Sequence, residues 1–262
     1  MVQTIKDVFE PFKKVTPRVF IGIVICQIIL FLTMWQYGAP SLIPRPAQVG
    51  NQIVAFLTDS DFYSEIIQSI FLTGKAMIYS IIIASIFAYL SPTPFFRALT
   101  IFMTKFRYLT LMGWIFAFTL ILKDGATVKL SLLMFGIIPF FVLSLLTIIK
   151  RIEPKEYDLC QTLKYNRWQT VYELIIYGRL EYTVETIRAN FAIAWLMITL
   201  VESFSMSEGG IGVMLFRLNK YNQLDKIFAL QIIIFSIGII FDYFLQRLRY
   251  AAFPHVAKTE LK

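Results

Sequence analysis

Gly74-Lys75 is the only Gly-Lys pair in the chain, and Ser69 stands where a phosphate-cradling loop needs its first glycine. His255 is the only histidine, and neither a cluster of metal ligands nor a nucleophile with its base accompanies it. Covalent chemistry and resident cofactors are therefore not expected. What remains is charge in unexpected places. Lys75, Lys105, Arg107, Lys129, Arg188 and Glu202 interrupt apolar runs, where burying an ionisable group is costly and marks a functional suspect. For Lys129, Arg188 and Glu202 the expectation is snorkelling to an interface.

The other chemically rich stretch is residues 158–178, DLCQTLKYNRWQTVYELIIYG, a polar island in a chain that is 57% hydrophobic. At about 100° per residue, Cys160, Leu163, Val171 and Leu174 share an arc with Leu159, broken only by Arg167. Lys155, Asp158, Thr162, Asn166, Gln169 and Glu173 share another, with Tyr157, Tyr165, Trp168 and Tyr172 between. One amphipathic helix ending near Gly178 is expected. Periodicity leaves two roles open, an interfacial helix with rings at headgroup level and an element that docks into a groove of another protein.

These residues must be carried by membrane helices. With 57% hydrophobic and 16% aromatic residues and a mean hydropathy of +0.66, the chain has too little polar surface for a water-soluble globule. About six apolar runs are long enough to span, at 18–37, 66–90, 98–122, 127–149, 183–203 and 225–246. They leave no room for a separate soluble domain, so residues 1–262 form one all-α membrane domain. Lys105 and Arg107 interrupt the third run, which is expected to be interfacial or broken, and Pro139 is expected to kink the fourth. The segment PSLIPRPAQVG is stiffened by proline, and DSDFYSEIIQSIF can cap and start the second span. The first run is read as a retained signal-anchor. Cys26 and Cys160 are not expected to pair.

The formal charge of +8 follows topology, since the basic residues do not form a nucleic-acid surface. Lys6, Lys13, Lys14 and Arg18 mark the N-terminal tail (1–17) and its edge. Lys150, Arg151, Lys155, Lys164, Arg167 and Arg179 surround the island loop (153–181), and Arg247, Arg249, Lys258 and Lys262 lie in the C-terminal tail (247–262). By the positive-inside rule these segments are cytoplasmic.

From Asp158 the island resembles the cytoplasmic loop of binding-protein-dependent ABC-importer permeases, in their nitrate, taurine and aliphatic-sulfonate branch. That branch reads EAARTLGASRWQ, then VLPAALP, then GLRIALGLAW. Asp158-Leu159-Cys160 stands at E-A-A, Thr162-Leu163 at T-L and Arg167-Trp168-Gln169 at R-W-Q, with Ile187-Arg188-Ala189 and Ala194-Trp195 following in order. LIPRPAQV, GGIGVMLF and the closing FDYFLQRLRYAAFPH are similar to further family segments, so the likeness runs from about residue 42 to 255. Lys164 departs from the family's glycine, Tyr177 and Glu181 from its prolines, and Thr186 from another glycine. Lys164 is expected to alter how the loop seats, since glycine permits close backbone approach.

The resemblance implies a type I importer permease fold in a bacterial inner membrane. It also implies a cytoplasmic ATPase dimer that binds ATP and Mg, a second permease subunit and an extracytoplasmic solute-binding protein. Asp158, Leu159, Cys160, Leu163, Lys164, Arg167 and Trp168 would face the ATPase, with Asp158 pairing or capping. Lys105 and Arg107, where the family's third span is broken, would serve an anionic cargo, with Lys75 a third pathway residue. A membrane-embedded enzyme, or a secondary transporter or channel, is the alternative. The former needs a catalytic cluster at one depth, the latter usually two similar halves, and neither is visible.

Overall fold

The computed structural model describes residues 16–254 except 39, 41 and 206–208. His255, most of the basic N-terminal tail and the end of the C-terminal tail lie outside the described residues. All elements within them are helical.

Five helices are long and apolar enough to cross a membrane: α1 (Pro17–Gly38), α3 (Ser60–Leu90), α6 (Gly125–Lys150), α9 (Leu180–Phe204) and α11 (Leu224–Ala252). The third expected span is broken. Helix α4 (Pro94–Lys105) runs into a 3-10 turn (Phe106–Tyr108), and α5 (Leu111–Leu122) leaves at 109° to it. Lys105 and Arg107 sit at that break, where charged groups can reach polar surroundings that the middle of a straight span would deny them.

Local chemistry sets the helix starts. The Asp59 carboxylate accepts from the Asp61 N–H at 3.0 Å before α3, and Asp124 caps α6 by accepting from the Thr127 N–H at 2.9 Å. These Thr127 bonds, hydroxyl first, hold the Asp124 carboxyl below its ordinary pKa. Two short helices were not anticipated. The proline-rich segment turns helical at Pro46, giving α2 (Pro46–Thr58), because proline's fixed φ suits a first turn. The second begins within the GGIG stretch, giving α10 (Ile211–Lys220). Pro139 lies inside a helix that continues unbroken to Lys150, and it is buried by its neighbours.

The core lies between α3, α6, α9 and α11. Leu132, Leu133, Ile137, Phe141 and Val142 of α6 are fully enclosed against Ala76 and Ala84 of α3 and Ala194 and Ile198 of α9. Small residues on the flanking helices let α6 approach closely, which is how membrane helices gain packing without a hydrophobic driving force between them. Helix α1 contributes no buried residue. It is tied to the bundle chiefly by Trp35, whose indole N–H donates to the Pro44 carbonyl at 3.1 Å and whose ring faces Phe228.

Candidate functional site

Contacts define two opposite ends of the bundle. At one, the end of α3 meets the start of α9 through Tyr89 and Thr183 hydroxyls 3.3 Å apart, and the polar island lies there. At the other, the starts of α3, α6 and α10 meet the end of α9 around residues 209–212.

The island is a helix–turn–helix, which corrects the expectation of one helix through 158–178. Helix α7 (Pro154–Thr162) ends at Leu163, and Lys164 takes a left-handed φ of 59°. The Tyr165 N–H then returns to the Cys160 carbonyl at 3.1 Å and the Lys164 N–H to Gln161 at 2.9 Å, a Schellman closure that favours glycine at the left-handed residue. Asn166 starts α8 (Arg167–Thr170) by accepting from the Gln169 N–H at 2.7 Å, while Gln169 accepts from the Asn166 N–H at 2.8 Å. The chain widens into a π-helix (Val171–Tyr177) that stops at Gly178. Lys164 thus holds a backbone position that glycine would take with least strain.

The turn reassigns the apolar positions. Leu159, Leu163 and Trp168 are 60%, 54% and 61% exposed and project around the turn together with exposed Asp158, Lys164 and Arg167. Cys160 is only 6% exposed and packs inward, so it is unsuited to contact a partner. Val171 and Leu174 are half-buried, so they belong to the island's own support. Asp158 lies inside α7 and caps nothing; the N-cap position is Glu153. Partial burial, ahead of the nearby Glu156 charge, raises the Tyr157 hydroxyl's pKa.

A row of ion pairs fastens α7 of the island to α9, and α9 to α11. Arg179 Nη2 reaches Glu156 Oε2 at 2.6 Å, joining α7 to the start of α9. Arg249 of α11 contacts Glu185 at 2.9 Å and Glu181 at 3.4 Å. Arg188 bridges Glu185 at 2.8 Å and Asp242 at 3.1 Å. Arg188 is therefore held in a helix–helix network, in place of the expected free reach to an interface.

Lys129 and Glu202 also depart from snorkelling, for they are 2% and 1% exposed at the opposite end. Lys129 Nζ donates to the Gly209 carbonyl at 2.8 Å. Glu202 accepts from the Ser69 hydroxyl at 2.7 Å and the Gly212 N–H at 2.8 Å, and Ser69 accepts from the Ile211 N–H at 2.9 Å. Glu65 accepts from the Gly210 N–H. Gly210 has a φ of 113°, and a Cβ on Gly212 would lie 2.2 Å from the Thr199 carbonyl oxygen, so glycine is required at both. The sequence signal for this cluster was the GGIG run; Glu65 and Ser69 carried none, being partners from a distant helix.

A cavity of about 360 Å³ opens beside the cluster, lined by Gln68, Phe71, Leu72 and Lys75 of α3 with Lys129 and Glu202. Lys75 is thereby brought beside Lys129, whereas Lys105 and Arg107 stay at the bend. There the Arg107 guanidinium stacks 4.8 Å from the Tyr108 ring and donates to its hydroxyl at 2.6 Å. Among the described residues no group of three potential metal ligands converges.

The sequence pattern of binding-protein-dependent transport system inner membrane components matches residues 17–251. A putative aliphatic sulfonates transport permease protein of Bacillus subtilis (strain 168) is 27% identical over 100 residues, which cover 38% of this chain and 36% of that protein. The matched stretch is thus little more than a third of that relative's length. A bacterial ABC transporter involved in import of the acidic polysaccharide alginate superposes with a TM-score of 0.60, at 14% identity over 89% of this chain and 95% of that one. A bacterial alginate ABC transporter in complex with an alginate pentasaccharide-bound periplasmic protein gives 0.56, at 14% identity over 88% and 93%. At such identity the likeness is one of fold. Since the family pattern runs from the first span to the end of the last, the chain belongs to the binding-protein-dependent transport system inner membrane components.

Proposed function

We propose that this chain is the transmembrane subunit of an ATP-binding-cassette importer and that the island, residues 158–178, is its handle for a separate cytoplasmic ATPase dimer. The observation that carries this reading is the exposed apolar turn of Leu159, Leu163 and Trp168, fastened by Glu156–Arg179 to the start of α9. Exposed leucine and tryptophan on a charged loop gain about 1.5–3 kcal/mol each when a partner covers them. Asp158 and Arg167 flank them as ion-pair partners. Closure of the ATPases on ATP and Mg would draw two such handles together, one from this chain and one from a second permease subunit. The ion-pair row would pass that motion to α9 and α11. The chain itself does no covalent chemistry.

In this reading the island and both termini face the cytoplasm of a bacterial inner membrane, and the glycine end faces a solute-binding protein. The cargo is a small anion of the sulfonate, nitrate or bicarbonate kind, a class favoured by the sulfonate-permease relative and by cations at membrane depth. Lys105 and Arg107 at the bend would add positive charge along the route, and Lys105→Ala plus Arg107→Ala should lower anion uptake; unchanged uptake removes them from it.

The deciding experiment is to purify the tagged full chain from its native host and test for a co-eluting ATPase. Asp158→Ala plus Leu163→Asp should abolish co-elution while the melting temperature is kept. A complex that survives the double substitution returns the island to an interfacial helix.

A further inference from the structure

At the island end, away from the glycine cluster, a cleft of about 450 Å³ opens between α4, the end of α6 and α7. The two longer helices run oppositely there. Helix α4 starts at this end, just past α3, and goes inward from Arg97 to Ile101, whereas α6 arrives at it and comes outward from Leu146 to Lys150. Four residues are about one helical turn, so each wall sets a cation at the mouth and an aliphatic side chain one turn deeper. Ile149 adds to the apolar floor, and Tyr157 lines the side towards the island. Buried Thr100 fixes α4 in this register, its hydroxyl donating to the Phe87 carbonyl of α3 at 3.0 Å.

Arg97 and Lys150 are both exposed, as suits a ligand that reaches them from the membrane surface. Neither stands in an ion pair among the described residues, and no carboxylate lines the cleft. Of the acids next in the chain, Glu156 is held by Arg179, and exposed Glu153 is outweighed by exposed Arg151 and Lys155. The mouth is therefore positive, directly above apolar surface. A free anion has no use for the aliphatic floor, and a zwitterionic lipid has less use for the cations. From this geometry we propose that the cleft binds one anionic phospholipid. Arg97 and Lys150 pair with its phosphate, the Tyr157 hydroxyl donates to a headgroup oxygen, and the first methylenes of an acyl chain lie along Ile101, Leu146 and Ile149. Basic pockets between membrane helices select such headgroups by charge. Tyr157 adjoins Glu156 in α7, so the lipid sits against the short helix whose ion pair fastens the island to α9. The site requires only a membrane chain and stands whether or not an ATPase docks on the island.

The test is native mass spectrometry of the full chain, released from detergent micelles that hold equimolar phosphatidylglycerol and phosphatidylcholine with identical acyl chains. A cation beside an anionic headgroup is worth about fivefold in affinity, so the pair should favour phosphatidylglycerol about thirtyfold in the first lipid adduct. Arg97→Gln plus Lys150→Gln should bring that ratio to about one. Arg217→Gln plus Lys220→Gln, which removes two exposed cations at the other end, should leave it unchanged. If the first pair does not fold, Arg97→Gln alone should lower the ratio about fivefold. Equal adducts of the two lipids would overturn the site, and so would the same loss from either pair of substitutions, which marks diffuse surface attraction. Release of phosphatidylglycerol by an equal concentration of inorganic phosphate would also overturn it, since the cleft would then hold a free anion and not a lipid.

Discussion

Lys164 pays a conformational penalty that glycine would avoid. A non-glycine residue in the left-handed region costs about 1 kcal/mol, part of which glycine returns through its looser unfolded chain. Lys164→Gly should therefore stabilise the island turn by about 0.5–1 kcal/mol, read as slower amide exchange at Lys164 and Tyr165. Lys164→Val should speed it, since a branched Cβ tolerates this backbone least. At the other end of the bundle, Gly212→Ala forces a methyl to 2.2 Å from the Thr199 carbonyl oxygen. Overpacking of this kind should cost about 1–3 kcal/mol in thermal unfolding, with a lowered melting temperature.

Arg249 is the element-scale linchpin, since α11 reaches Glu181 and Glu185 of α9 through it and its side chain is only 9% exposed. Arg249→Met should lower stability by about 1–3 kcal/mol, because it removes the contacts to Glu181 and Glu185 while Arg188 still holds Glu185, measured by thermal melting in detergent. Arg179→Gln should leave melting nearly unchanged yet separate ATP hydrolysis from uptake, because it cuts the tie between island and α9; equal loss of both activities argues against transmission there. The spans were legible because an apolar run of membrane length has few alternatives, and Lys105 with Arg107 announced the break. The island's fold was not. Its periodicity runs through Lys164 as if the helix continued, and only the cap bonds from Lys164 and Tyr165 reveal the turn. Lys129 and Glu202 were misread for another reason: their partners, Gly209 and Ser69, lie 80 and 133 residues away along the chain.

At the scale of the whole molecule, the two ends carry different chemistry. One presents an apolar turn set among ion pairs, and the other wraps glycine backbone around carboxylates. Cysteines introduced at exposed Lys155 and at exposed Asp61 should be labelled from opposite faces of sealed vesicles; labelling from one face would refute the transmembrane arrangement. The lack of buried residues in α1 also bears on biogenesis. A span whose core contact is Trp35 alone can sit in the bilayer before the bundle has packed, while the other helices find one another by lateral diffusion. Its Trp35 contacts would close last, leaving the first helix a mooring line more than a wall.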